Sequence, residues 1–289
     1  MNRLWMVSLL LLAVPALWLA GPTVAAEPAP LRYLADPVPD PAGRRLLAVE
    51  PTGDGRIVEV LGDLATARRA AILIPGVDTT MSNFDSGLGG VISRAPAWQA
   101  RQLHAALAPG APVAVIAWLG YDPPEGVRRD ALREDRAATG ALALERFVAW
   151  LVQDHPDLEI TLIGHSYGSI VAARAAANLP PQVTDIVAIG SPGMGVASRA
   201  ALRTEARVWA GSAPDDWTRR LPGVRILGVG HGRLPIDREF GAQPLPCSDV
   251  EGHDGYFRPG TSSLRAMAAI TGTLRTPAPE TTESERARG

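Results

Sequence analysis

Gly164-His165-Ser166-Tyr167-Gly168 sets a serine between two glycines, directly after the apolar run 158–164 and directly before an alanine-rich stretch. G-x-S-x-G alone is a weak pattern, because Gly-rich chains form it by chance. Its setting strengthens it. Where a buried strand turns sharply into a helix, the serine takes strained backbone angles and its hydroxyl stands at the C-terminal edge of the sheet, beside a helix N-terminus. Glycines at 164 and 168 leave room for strand and helix to approach. Such a serine suits attack on a carbonyl carbon, with the Tyr167 N–H facing the developing oxyanion. The bland alternative is a serine in an ordinary strand–helix turn.

A serine hydroxyl is a poor nucleophile at neutral pH and needs a base held by a carboxylate. Two acids, Asp215 and Asp216, follow the strand-like run 206–211. Asp216, beside Trp217, is the favoured acid; Asp215 reads as a solvated or turn-capping side chain, and Asp237 is a weaker candidate. Of five histidines, His104 and His155 fall on helices and read as surface residues. His165 lies inside the serine turn, with its ring expected to point away from the reacting side. Two remain: His231 directly follows the apolar run 224–230, and His253 lies on the loop before the last helix. Strand-end geometry favours His231; a loop folding back over the site suits His253.

The second oxyanion donor is expected after the run 70–76, at Gly76 or Val77, since Pro75 has no N–H. Residues 78–90, polar and Gly-rich, either line the site or form a surface loop. Cys247 is the single cysteine, so no internal disulfide forms; between Pro246 and Ser248 it has no evident helix N-terminus to activate it. H-E-x-x-H, C-x-x-C and Walker spacings are missing, so no metal site and no cofactor are expected.

The elements that must position these residues alternate. Apolar runs at 56–62, 70–76, 112–120, 158–164, 184–190, 206–211 and 224–230 suit buried strands. Helical spacing covers 97–107, 130–154, 167–179 and 261–274. This alternation implies crossover connections and a mostly parallel, doubly wound α/β sheet flanked by helices. The single domain spans 55–275, with an irregular Pro-, Gly- and Asp-rich lead-in over 27–54 and a disordered tail over 276–289. Residues 1–26 read as a signal peptide: Arg3, an uncharged run over 4–20, then Val24-Ala25-Ala26. Left uncleaved, residues 4–20 would associate with a membrane. The expected location is therefore secreted or cell-envelope associated. The 289 residues carry a net charge of −2 and no basic patch, which excludes nucleic acid as a natural partner. All 28 basic residues are Arg, a compositional bias that says little about function.

Longer motifs carry a resemblance. They are Trp118-Leu119-Gly120-Tyr121-Asp122-Pro123-Pro124, Gly164-His165-Ser166-Tyr167-Gly168-Ser169, Gly190-Ser191-Pro192-Gly193, Phe240-Gly241-Ala242 and Gly252-His253-Asp254-Gly255-Tyr256-Phe257. Over about 71–274 the chain resembles a largely uncharacterised α/β-hydrolase family of high-GC Gram-positive bacteria that carries the G-H-S-Y-G-S elbow. The resemblance implies an α/β-hydrolase fold with Ser166 as nucleophile, and favours His253 over His231 as base. The expected activity is that of an exported, esterase- or lipase-like serine hydrolase with a Ser166–His253–Asp216 triad, acting on a small-molecule or lipid ester. An acyltransferase sharing the acyl-enzyme, and a non-catalytic binding module on the same scaffold, are the alternatives.

Overall fold

β4 (Arg69–Ile74), β5 (Val113–Leu119) and β7 (Val183–Ile189) are built mainly of Ala, Ile, Val and Leu and are buried along nearly their full length. Strands of this kind persist only where both faces of a sheet are covered. The structure, a computed structural model, describes residues 29–126, 134–223 and 230–272. In it these strands lie inside a nine-stranded sheet. The others are β1 (Val38–Pro39), β2 (Arg45–Glu50), β3 (Arg56–Leu61), β6 (Glu159–His165), β8 (Arg207–Gly211) and β9 (Gln243–Pro244), in the order β1-β2-β3-β5-β4-β6-β7-β8-β9. From β5 to β9 every neighbouring pair is parallel; β1–β2, β2–β3 and β3–β5 are antiparallel. The sheet is thus mixed and largely parallel, as the strand–helix alternation predicts.

Among the described residues four α-helices cover it: α1 (Pro96–Ala106), α2 (Asp135–Asp154), α3 (Gly168–Ala175) and α4 (Ser262–Gly272). The period-two alternation of β4 divides the core. Ala70, Ile72 and Ile74 join the cluster holding Leu144 and Phe147 of α2 and Val171 of α3. Ala71 and Leu73 join the cluster with Leu103 of α1 and Met267 of α4. Each of the Val, Leu, Ile, Phe and Met side chains among these, fully buried, contributes roughly 1.5–3 kcal/mol. The two faces together hold the strand ends that carry the site.

The lead-in expected to be irregular contains β1 and β2. Leu46, Leu47 and Ala48 are buried, and β2 pairs with β3 from Arg45↔Val60 to Glu50↔Arg56. The Pro-, Gly- and Asp-rich composition at 51–55 belongs to the hairpin turn between them, where Gly53 and Gly55 take positive φ of 66° and 74°. The expected signal peptide, the tail and most of the strand-like run 224–230 lie outside the described residues, as do 130–133 of the expected long helix. Among the described residues no helix is long and apolar enough to cross a membrane.

Candidate active site

Ser166 directly follows β6 and has φ +53°, one of three non-glycine residues with positive φ among those described. This left-handed conformation is strained for a residue with a Cβ and needs surrounding structure to hold it. The Ser166 N–H donates to the Ile189 carbonyl at the end of β7 (3.0 Å), and its carbonyl accepts from the Ser169 N–H (3.0 Å) and hydroxyl (2.6 Å). The Ser169 Oγ also lies 2.7 Å from Ser191 Oγ. The flanking glycines permit the close crossing: a Cβ on Gly168 would meet the Ile74 carbonyl at 2.1 Å, and one on Gly164 would meet Ser169 Cα at 2.5 Å.

Asp216 lies beyond β8, at the start of a single 3-10 turn (Trp217–Arg220). Its carboxylate is almost fully buried and accepts from the Thr218 N–H (2.9 Å), the Thr218 hydroxyl (2.7 Å) and the Tyr256 hydroxyl. The fourth donor is His253 Nδ1, 2.9 Å from Oδ2 and 3.0 Å from Oδ1. Burial alone would raise the Asp216 pKa; the bonds from His253, Tyr256 and Thr218 outweigh it and hold the carboxyl well below the usual range. The carboxylate can only accept, so Nδ1 carries the proton and Nε2 of the neutral ring keeps a lone pair. Gly190, at φ +55°, makes room: a Cβ there would lie 3.0 Å from both Asp216 Oδ2 and His253 Cε1.

Asp215 does not share this pairing. Its Oδ1 accepts the Gly252 N–H at 2.8 Å, a turn-capping contact on the loop that carries His253. His231 is buried elsewhere, edge-on to the Tyr167 ring and with Nδ1 3.8 Å from Glu134 Oε1, beyond hydrogen-bond range. Cys247 is buried, and burial pushes its thiol up to about 12, which leaves it unreactive.

Ser166 and His253 line one cavity of about 470 Å³, together with His165, Gly76 and Val77. A Cβ on Gly76 would come within 2.8 Å of Ser166 Cβ, so the loop after β4 lies directly against the serine. Tyr121 orients that loop, its hydroxyl donating to the Pro75 carbonyl at 2.7 Å. Across a trans peptide the Gly76 N–H then points away from Tyr121. Residues 78–95 form three short 3-10 turns whose Thr79, Asn83, Leu88 and Arg94 wall the cavity; Arg94 Nε donates to Asp254 Oδ2 at 2.7 Å and ties this arm to the His253 loop. His165 departs from expectation. Its ring does not turn away from the site: it lines the cavity, 4.8 Å from the His253 ring.

Residues 50–226 match an alpha/beta hydrolase family. The chain belongs to this α/β-hydrolase family. An uncharacterized protein of Mycobacterium bovis is 32% identical over 72% of this chain and 85% of its own length. An uncharacterized protein of Mycobacterium tuberculosis is 30% identical over 80% of this chain, which spans only 39% of that relative's length. Among solved structures, a dienelactone hydrolase from Anabaena variabilis aligns with TM-score 0.49 at 16% identity, over 80% of this chain and 98% of that one.

In this α/β-hydrolase, Tyr256, Thr218, Tyr121 and Arg94 surround the candidate residues without having been singled out for that work in the sequence. Tyr121 and Tyr256 do fall in the longer motifs, which was their one signal. Trp217, 5.1 Å ring to ring from His253 and lining the cavity, completes the set.

Proposed function

We propose that this chain is a serine hydrolase that cleaves carboxylic esters through an acyl-enzyme. Ser166 Oγ attacks the carbonyl carbon while His253 Nε2 takes its proton. The N–H groups of Tyr167 and of Gly76 or Val77 stabilise the oxyanion. Collapse of the tetrahedral intermediate breaks the ester C–O bond, and the imidazolium returns the proton to the leaving alcohol. Water then adds to the acyl-enzyme with His253 again as base, and the acid departs as Ser166 regains its proton. Asp216 holds the imidazole in the required tautomer and stabilises its charged form. The observation that carries this reading is the Asp216–His253 pair opening onto the same cavity as a serine held at positive φ. On the N-terminal segment alone, we also propose that the enzyme works after export, on small-molecule or lipid esters.

The test is fluorophosphonate labelling and p-nitrophenyl ester hydrolysis by the purified protein, with Ser166→Ala beside it. Labelling and turnover that both vanish in the variant support the reading. A folded wild type that neither labels nor turns over ester refutes it and favours a binding module.

A further inference from the structure

The mechanism above uses His253 and leaves a second imidazole in the same cavity without a role. His165 Nε2 lies 2.7 Å from the backbone carbonyl of His253, a contact across 88 residues of chain. A carbonyl only accepts, so His165 carries its proton on Nε2 and donates it. The bond links the residue before the serine to the residue proposed as base. Because Ser166 is itself locked at φ +53°, a group held to His165 is held to the frame of the hydroxyl.

The other anchors of the His253 loop start from different elements. Asp215 takes the Gly252 N–H, Asp216 takes the His253 ring, and Arg94 takes Asp254. Among the described residues, His165 ties the backbone of His253 to β6, the strand that leads into Ser166. The groups facing the His165 ring fit a neutral donor. The His253 ring lies 4.8 Å away and the Tyr256 ring 5.8 Å, and the charges of Asp254 and Asp216 also act on it. Burial first, and the neighbouring His253 second, push the His165 pKa down to about 4, so no second cation competes with the imidazolium formed in catalysis.

We propose that His165 is a positioning residue that registers the base to the nucleophile, through its Nε2–H bond to the His253 carbonyl. This rests on the hydrolase reading of Ser166 and His253. The bond sets where the imidazole sits, so its loss should act on kcat more than on KM; a displacement near 1 Å can slow a reaction about 100-fold.

The experiment compares His165→Gln, His165→Asn and His165→Leu in the full chain. A Gln amide can reach the position of Nε2, whereas Asn is too short and Leu has no donor. Ester kinetics are read together with the low-field NMR signal of the His253 Nδ1 proton. The expected result is a roughly 10- to 100-fold lower kcat in Asn and Leu with KM within about threefold, and recovery to within about fivefold of wild type in Gln. The Nδ1 signal should shift or broaden in Asn and Leu and persist in Gln. Asn and Gln are both polar and similar in size, so their contrast survives if Leu fails to fold. An Asn variant with wild-type kcat and an unchanged Nδ1 signal, or a Gln variant as slow as Asn, overturns the proposal. A wild type that hydrolyses no ester, but whose Nδ1 signal changes in Asn and persists in Gln, supports the positioning and overturns the hydrolase reading alone.

Discussion

His253 and His231 each lie near a carboxylate, and the two settings differ in distance, exposure and access to the cavity. His253 Nδ1 sits 2.9 Å from Asp216, and its side chain keeps 15% exposure on the wall of the cavity that holds Ser166. His231 Nδ1 sits 3.8 Å from Glu134, its side chain is 5% exposed, and its ring packs edge-on to Tyr167. Glu134 is also engaged by Arg174, so its charge is directed toward a helix-borne cation. A histidine beside a carboxylate is therefore not by itself a catalytic device. One ring nitrogen must be pinned while the other is presented to the group that loses a proton. His253 has Nδ1 pinned to Asp216 on the wall of the cavity that Ser166 also lines, whereas the His231 ring packs against Tyr167.

This contrast can be broken most directly at the rings. His253→Ala should lower kcat/KM for an ester by roughly 10⁴-fold or more, whereas His231→Ala should leave it within about threefold and instead reduce stability by about 1–3 kcal/mol in urea unfolding. A reversal would transfer the base role to His231. The carboxylates sharpen the comparison at the next level. Asp216→Asn should cost about 10³- to 10⁴-fold in kcat by favouring the wrong tautomer, with Glu134→Gln close to wild type in the same assay.

Tyr256→Phe removes one donor from Asp216 and nothing from Glu134. It should lower stability by about 1 kcal/mol and kcat by only several-fold. It should also move acid unfolding to higher pH. The Asp216 carboxyl is depressed in the folded protein, so its contribution is present above the unfolded carboxylate pKa of about 3.9 and is lost as pH falls toward the folded value. Weakening the depression narrows that range. A separate pH effect concerns His165. Its folded pKa of about 4 lies below the ordinary imidazole value of 6.5, so its contribution is complete above about 6.5 and is lost as pH falls toward 4. Thermal melts between pH 6.5 and 4 should therefore decline less steeply in His165→Gln than in wild type; parallel curves would remove His165 as a source of acid sensitivity.

The sequence pattern made the serine turn readable because it is local. Strand, turn and helix are contiguous, and the glycines at 164 and 168 answer a close crossing made within a few residues. The strands β3 to β8 were readable for a similar reason, since burial leaves runs that are mostly apolar. β2 was misread because its hairpin turn dominates local composition, while its burial depends on pairing with β3. The choice between His231 and His253 was not local either. Both follow the serine in the chain and both end near an acid, and spacing cannot say which acid faces which ring.

By itself, then, the order of residues determined the buried strands, the strained serine and the short set of candidate acids and bases, because propensity, burial pattern and turn chemistry act over a few residues. The tertiary structure supplied the contacts of Asp216 with His253 and of Asp215 with Gly252, both expected as roles but not as geometry, and it alone decided that Tyr121 orients the loop at Gly76 and that His165 faces into the cavity. Each of these is a contact between distant segments. Its geometry is set by how the sheet stacks the strand ends, and no run of neighbouring residues encodes that.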